Sequence, residues 1–244
     1  MDTIIIQWLL LVQIYAAGDT TSNELYTLYH SNKLISGYYR KFITLRPICG
    51  AWCQLFPQCS AFAYHNLQKE CFLYEGNLND CDYLIENTME TFIPFTEEDK
   101  NNVALFKPTT MSSELSRSTG SCRAVDDKYT TFVSSQQAPM SWWCVDLIHI
   151  YNLKYVTLYN KNKAGYVRDQ IKGFTLKLNL RGKCDAEGFS NADFCFQDTS
   201  FISQYIYNIT QCISSTVFKA RYIFINNGAA SDFLHFKELE VSAM

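Results

Sequence analysis

The chain has 244 residues, of which 15% are aromatic and 18% are charged, and its formal net charge is -3. This composition can fill a hydrophobic core and excludes an intrinsically disordered chain, and the length allows one large or two modest domains. The sequence has no basic tract, whereas binding to the phosphates of nucleic acid needs clustered Lys and Arg, so we expect no nucleic-acid partner.

The first eighteen residues have the pattern of an export signal. The apolar run from Ile4 to Ile14 has the length of a signal-peptide core and is too short to span a bilayer. Small residues follow at Ala16, Ala17 and Gly18, although no Lys or Arg precedes the run. We predict that residues 1–18 are a signal peptide and that the protein is secreted; the alternative is a buried N-terminal helix. No later run is long enough for a transmembrane segment.

Ten cysteines in an exported chain predict a disulfide framework. None has the close spacing of a structural zinc site. Five precede and five follow a gap between Cys81 and Cys122, and residues 96–102 are the most polar run inside it. We therefore predict two domains, residues 19–95 and residues 102–244.

The centre of the first domain predicts a short helix followed by a hairpin. Cys49 and Cys53 are four residues apart and would share one face of a helix. Aromatic residues recur at every second position in 61–64 and again in 71–74, which is typical of strands, and the polar residues 65–69 form a turn between them.

This arrangement resembles the PAN, or apple, module, a small α+β fold in which two crossed disulfides staple a helix to a sheet. The resemblance implies the pairs Cys49–Cys71 and Cys53–Cys59 and leaves Cys81 over. PAN modules contact proteins or carbohydrates, and the fold alone does not choose between them or a spacer without a ligand.

The second domain contains many short strands. Apolar and polar residues alternate in 153–159, 174–180, 220–226 and 236–241, and clusters of Gly, Asn, Asp and Ser separate these segments. No amphipathic helices lie between them. The pattern predicts a β-sandwich or jelly roll, so the whole chain is expected to be mainly β.

The start of this domain carries a recognisable series of motifs. It reads NVALFKP from Asn102, then AVDD from Ala124, then WWCVDL from Trp142. The series resembles the opening of the fucolectin-type lectin domains, which are relatives of the discoidin and coagulation-factor type C modules. The resemblance implies an eight-stranded jelly roll that binds glycans or glycoproteins. An enzyme is not expected, because no nucleophile, base and orienting group can be named.

The resemblance also implies a structural calcium ion beneath the first loops. In the family the ligands are backbone carbonyls, a Ser, an Asp and a Glu, and a hard cation prefers such oxygens. Asp126 and Glu238 fall on the two carboxylate positions. The full set of candidate ligands is Arg123, Asp126, Lys128, Ser134 (or Ser135), Lys237 and Glu238. The alternative is a metal-free, salt-bridged loop, because Arg123 and Lys128 are basic and Asp127 replaces the glycine of the turn.

The residues that hold fucose in the family are not reproduced. The family uses a His and two Arg beside a vicinal cysteine pair. Here Lys161 stands for one Arg and Gln170 for the other, Ala164 and Gly165 replace the cysteines, and residues 132–139 contain no His.

Two interpretations of this loop remain. In the first, the loop contacts a glycan other than fucose through Lys161, Tyr166, Arg168 and Gln170, and a sugar ring stacks on Tyr166. Otherwise the sugar site is lost, and the domain is an adhesion module for protein or matrix. A single sugar site usually binds weakly. Higher avidity would come from a homo-oligomer or from both domains binding at the same time.

The remaining cysteines leave alternatives open. The late bridge of the family maps onto Cys212 with Cys195 or Cys184. Cys122 and Cys144 are additional and are expected to pair with each other. Cys81 would then bridge the domains through whichever of Cys184 and Cys195 is spare, or would pair between chains.

Three further features have simple expectations. The sequon at Asn208 predicts a glycosylated surface position. Trp142 and Trp143 begin a strand, where alternation sends one indole into the core. Phe132 and Val133 are either core residues or an apolar loop tip for a membrane.

Overall fold

The computed structural model describes residues 26–75, 83–94, 101–162, 169–200, 202–213, 216–227 and 232–244. The predicted signal peptide lies outside these residues. The fold is mainly β, as the sequence predicts, and the chain divides into two compact units between Glu97 and Glu98. Within the described parts of the chain, no helix has both the length and the apolar character needed to cross a membrane.

The first unit is a five-stranded antiparallel sheet with one helix. The sheet has the order β1-β5-β3-β4-β2. Its strands are β1 (Tyr26–Ile35), β2 (Arg40–Ile43), β3 (Cys59–His65), β4 (Glu70–Glu75) and β5 (Tyr83–Pro94), and the helix is α1 (Arg46–Leu55). The predicted hairpin is confirmed: β3 pairs with β4, and Lys69 N donates to His65 O at 2.9 Å across the turn.

Helix α1 is held against the sheet by its cysteine face. Cys49 bonds to Cys71 and Cys53 to Cys59, the two pairs that the sequence predicts. Gly50 lies on the same face, and a Cβ at this position would be 3.4 Å from the ring of Phe62. A Cβ would thus make ordinary van der Waals contact here, and a larger side chain would meet the Phe62 ring.

The second unit is a β-sandwich built around one long strand. Its strands are β6 (Thr109–Met111), β7 (Val133–Ser134), β8 (Trp142–Tyr159), β9 (Thr175–Asn179), β10 (Asp193–Gln197), β11 (Ile206–Ile209), β12 (Lys219–Asn226), β13 (His235–Phe236) and β14 (Glu238–Ala243). A short helix, α2 (Ala186–Ser190), precedes β10.

Strand β8 belongs to both layers of the sandwich. Its first half pairs with β6 and β12, and its second half pairs with β11 and β14. Beyond β12, the first layer continues through β9 to the edge strand β10. The inward-facing apolar residues of both layers form one core cluster. Burial of this alternating face is what drives the sandwich together.

The two tryptophans at the start of β8 point in opposite directions. Trp143 is fully buried in the core, where Nε1 donates to Ser121 O at 2.7 Å. Trp142 packs on the other face of the sheet against Phe189 and Phe224. The expectation that alternation places one indole in the core is confirmed.

The disulfides of this unit confirm one predicted pair and correct another. Cys195 bonds to Cys212, but Cys144 bonds to Cys184, so the predicted pair Cys122–Cys144 is wrong. Cys144 shares the outer face of β8 with Trp142, whereas Cys122 lies beside the carbonyl that receives the Trp143 indole on the inner face.

This pairing uses both cysteines that were expected to be spare. The predicted bridge from Cys81 to Cys184 or Cys195 is therefore wrong, and Cys81 itself lies outside the described residues. Cys122 is disulfide-bonded as well.

Candidate functional site

The loop after the core 3₁₀ helix (Ser121–Ala124) folds around the carboxylate of Asp126. Asp126 is buried, and its Oδ1 accepts hydrogen bonds from Lys128 N at 3.1 Å and from Thr131 Oγ1 at 2.8 Å. Asp127 has a φ of 58°, in the left-handed region that glycine adopts most easily. The chain thus makes the tight turn here without the glycine that the fucolectin pattern has.

Oxygen atoms converge beneath this loop. Thr131 Oγ1 is 2.7 Å from Lys128 O and 3.4 Å from Arg123 O, in addition to its contact with Asp126. The carbonyls of Arg123 and Lys128, both predicted ligands, therefore lie near the Asp126 carboxylate. Thr131 was not predicted from the sequence, because its role depends on the loop's conformation.

Glu238 reaches the same loop from the other end of the domain. It is the first residue of β14 and is only 1% exposed, and its Oε1 accepts from Asp127 N at 3.2 Å. Burial raises the pKa of the Glu238 carboxyl to about 8, and the negative charges of Asp126, Asp127 and Glu240 act in the same direction.

Two buried carboxylate oxygens in this cluster accept no hydrogen bond from the described residues, namely Asp126 Oδ2 and Glu238 Oε2. Leaving such atoms without a partner is costly, and an oxygen-seeking cation would satisfy both. A competing charge is near, since Arg123 Nη1 is 3.6 Å from Asp126 Oδ2.

The side chains alone do not make a metal cage. Among the described residues, no group of three or more His, Cys, Asp or Glu side chains is placed to hold a metal ion. Backbone carbonyls would therefore complete any coordination sphere. The predicted ligand Ser134 is buried on β7, and Lys237 sits between β13 and β14 with its ammonium 5.8 Å from the Tyr205 ring centroid.

A second group of residues braces the loop from outside. Tyr129 and Tyr159 both donate hydrogen bonds to Glu240, and their rings meet edge to face with centroids 4.9 Å apart. These contacts connect Tyr129, in the loop, to Tyr159 on β8 and to Glu240 on β14. No pattern in the sequence indicated them.

Next to the carboxylate cluster lies a group that we call the Phe132 platform, formed by Phe132, Lys161 and His235. The Lys161 ammonium is 3.2 Å from the centroid of the half-buried Phe132 ring. The His235 imidazole stacks on the same ring, with centroids 5.0 Å apart and an interplanar angle of 18°. A cation, an aromatic face and an imidazole thus meet in one place.

His235 is held in the neutral form. Its side chain is 6% exposed, and Nε2 has no hydrogen-bond partner among the described residues. Burial lowers the pKa of His235 to about 3, and the positive charge of Lys161 contributes to the same shift. A neutral imidazole can donate from one ring nitrogen and accept at the other.

Sequence reasoning missed His235, because it looked for a histidine within residues 132–139. The predicted strand 236–241 is in fact split: β13 pairs with β7, with His235 opposite Ser134, and β14 pairs with β8. Strand pairing therefore supplies a histidine to this loop from a residue about one hundred positions away in sequence.

The other predicted sugar contacts are only partly placed. Gln170 is buried, 9% exposed, at the end of its loop, while Tyr166 and Arg168 lie outside the described residues. Asn160 positions Lys161: its Oδ1 accepts from Lys161 N at 2.7 Å, and its Nδ2 donates to Gln204 O. The structure therefore supports Lys161 more directly than Gln170 as a surface contact.

Two remaining expectations are resolved by burial. Val133 is fully buried and Phe132 is covered by its platform neighbours, so these residues are not an apolar tip. Asn208 is exposed on the edge strand β11, as predicted for a sequon, and its Oδ1 accepts from Thr157 Oγ1 at 3.4 Å.

Comparison with known proteins shows a similarity of fold. No family model matches the sequence, and a comparison with curated proteins finds no match. Among solved structures, the fucolectin from striped bass (Morone saxatilis) serum is 15% identical with a TM-score of 0.50, over 93% of this chain and 89% of its own.

Single binding modules are also similar to part of the chain. A fucose binding module from Streptococcus pneumoniae is 23% identical over 61% of this chain and 100% of its own, with a TM-score of 0.47. A module from Clostridium perfringens, solved with GalNAc-β-1,3-galactose, is 16% identical over 56% of this chain and 94% of its own, with a TM-score of 0.45.

Proposed function

We propose that this protein binds carbohydrate, without catalysis, at the Phe132 platform. The observation that carries the proposal is the joint position of Lys161 and His235 on one aromatic ring. Sugar sites combine an apolar surface with a few fixed polar groups. Here the part of the Phe132 ring that remains exposed gives the surface, the Lys161 ammonium donates hydrogen bonds, and the buried His235 stacks on the ring and holds it in place.

A calcium ion fits the adjacent carboxylate cluster. Asp126 and Glu238 would hold it with the carbonyls of Arg123 and Lys128, and its charge would neutralise the two buried carboxylates. The cluster is tied to the platform by short stretches of chain, because Thr131 precedes Phe132 and Glu238 follows His235 by three residues. Order at the ion site therefore supports order at the sugar site.

The sugar is expected to differ from fucose. The fold shared with the striped bass fucolectin supports a glycan ligand, but the family's two arginines and vicinal cysteines are replaced here. Lysine offers a point charge where arginine offers a planar fork, so the pattern of recognised hydroxyls should change. Glycoproteins at cell surfaces or in secretions are the corresponding partners.

The first unit is interpreted as a PAN-like module in an exported protein. Two crossed disulfides between a helix and a sheet support that interpretation, and disulfides of this number favour an oxidising compartment. The module would supply a second contact surface to the secreted protein.

A glycan array tests the proposal. The mature protein is applied in calcium and again in EGTA, together with Lys161→Ala and the matched control Lys154→Ala, which removes an exposed lysine from the preceding strand β8. We expect the same hits for wild type and Lys154→Ala, and their loss in Lys161→Ala. An empty array for a folded protein would favour the adhesion module instead.

A further inference from the structure

A second pair of a lysine and an aromatic ring lies beside the Phe132 platform. The Lys237 ammonium is 5.8 Å from the centroid of the Tyr205 ring, and both side chains are half-buried. The Lys161 ammonium makes the corresponding contact with Phe132 at 3.2 Å. Both distances are short enough for attraction between a cation and the face of a ring. We call Lys237 and Tyr205 the Tyr205 pair.

Backbone hydrogen bonds hold the Tyr205 pair and Lys161 at the same end of strand β8. The second half of β8 lies between β11 and β14. On one side Lys237 N donates to Tyr159 O at 2.7 Å, and on the other Asn160 N donates to Tyr205 O at 2.8 Å. Tyr159 is the last residue of β8, and Lys161 follows it by two positions. The two lysines therefore leave the sandwich side by side.

The positive charge of Lys237 is not balanced by the acids around it. Asp126 and Glu238 are buried beneath the neighbouring loop, and Glu240 accepts hydrogen bonds from two tyrosines. Among the described residues, no carboxylate lies within ion-pair distance of the Lys237 ammonium. This ammonium is thus open to an anion that arrives with a ligand.

The sequence of the adjoining loop adds positive charge. The whole chain has a net charge of -3. Residues 160–174 nevertheless contain four basic residues against one acidic residue, namely Lys161, Lys163, Arg168 and Lys172 against Asp169. A surface lined by charges of one sign raises the local concentration of ligands of the opposite sign.

We infer that the glycan is acidic and that Lys237 binds its carboxylate or sulfate beside the Tyr205 ring, an assignment that rests on the proposed sugar site at the Phe132 platform. Two ammonium groups held at one strand end repel each other, and an anion between them offsets this repulsion. A neutral sugar can accept hydrogen bonds from Lys161 but leaves the charge of Lys237 unbalanced.

The Tyr205 ring also gives the site a second apolar surface. One sugar residue would lie on Phe132 and a second, acidic residue on Tyr205, each with an ammonium beside it. The ligand class is therefore an acidic oligosaccharide of at least two sugar residues.

Matched glycans test the assignment. Biolayer interferometry is run on the full, oxidised chain in calcium, with one neutral oligosaccharide and the same oligosaccharide carrying a sialic acid, a uronic acid or a sulfate. We expect at least one acidic member to bind about tenfold or more tighter than the neutral one. Salt at about 0.5 M should reduce this preference, because it screens charges at a partly exposed site. The carboxylate and sulfate arms show which acidic group the site prefers.

Variants of Lys237 assign the preference to its side chain. Lys237→Gln should lower the ratio of acidic to neutral affinity to within about threefold of one, and Lys237→Glu should favour the neutral glycan. Lys154→Gln removes an exposed lysine from β8 and should keep the wild-type ratio. A thermal transition is measured for each variant to show that it is folded.

The outcomes separate this assignment from the sugar site itself. Equal binding of neutral and acidic glycans, or an acidic preference that Lys237→Gln retains, would overturn the acidic assignment and leave the Phe132 platform as the proposed sugar site. A folded wild type that binds no member of the panel would overturn both.

Discussion

Asp126 and Glu238 are 112 positions apart in sequence, yet one backbone hydrogen bond from Asp127 to Glu238 joins their surroundings. Each has a buried oxygen without a donor among the described residues. At the residue scale, this arrangement is unfavourable by itself, and the cation that we propose between the two carboxylates would make it favourable.

Glu238→Gln tests this role directly. The pKa of about 8 already favours the neutral form of the buried Glu238 side chain, so the change keeps its shape and removes only the carboxylate that calcium would bind. In EGTA we expect a thermal midpoint at or above that of wild type, and the midpoint rise that calcium gives to wild type should disappear. Differential scanning fluorimetry in both buffers measures this, with Glu187→Gln as an exposed control. A calcium response equal to that of wild type would contradict the assignment.

Trp143 offers a second test at this scale. Trp143→Phe removes the bond to Ser121 O and leaves unfilled space in the core, which should lower the free energy of unfolding by about 1–3 kcal/mol. The same substitution at Trp142, on the outer face, should cost less. Urea denaturation of both variants checks the order, and a larger loss at Trp142 would contradict the account of β8.

At the scale of elements, strand β8 decides how the cysteines pair. Residues two apart on a strand share a face, so Cys144 lies with Trp142 and away from the core. The segment that carries Cys184 and α2 covers that outer face. The ring centroids of Phe189 and Trp142 are 6.1 Å apart. The disulfide therefore links this covering segment to the outer face of the sheet and is not part of the main core.

Removing this bridge should loosen the cover. The pair closes a loop with a sequence separation of 40, so Cys144→Ser with Cys184→Ser should lower the free energy of unfolding by about 2–4 kcal/mol. Chemical denaturation measures the loss. Peptide mapping of the wild type under non-reducing conditions should recover Cys144 joined to Cys184, and recovery of Cys122 joined to Cys144 would overturn the structure at this point.

The break between strands β13 and β14 is the feature that brings His235 to the Phe132 platform. A single strand from 236 to 241 would pair along one neighbour, whereas the break at Lys237 lets His235 face β7 and Glu238 face β8. One residue of irregular chain thus directs His235 to the Phe132 platform and Glu238 to the Asp126 loop.

At the scale of the whole molecule, the predicted export signal and the sequon make a joint prediction. Expression in a eukaryotic secretory host should give a chain in the medium that begins at Asp19 and carries one glycan at Asn208, because this side chain is exposed on an edge strand. N-terminal sequencing and the mass lost on enzymatic deglycosylation check both parts. Thr210→Ala is the control, since it removes the sequon and keeps the asparagine.

The sequence by itself determined the mainly β fold, the hairpin of the first unit and two of the disulfide pairs, and it limited the partner of Cys212 to Cys195 or Cys184. These features rest on local periodicity and on the resemblance of motifs such as AVDD and WWCVDL, both of which are readable along the chain. The two carboxylates of the candidate ion site, Asp126 and Glu238, were found from the same resemblance of motifs.

Only the tertiary structure decided the Phe132 platform and the Cys144–Cys184 pair. His235 reaches Phe132 through strand pairing, and Cys144 turns outward through the register of β8. Each depends on contacts between residues distant in sequence, and such contacts are fixed by packing of the whole sandwich, because no local pattern encodes which distant strands become neighbours.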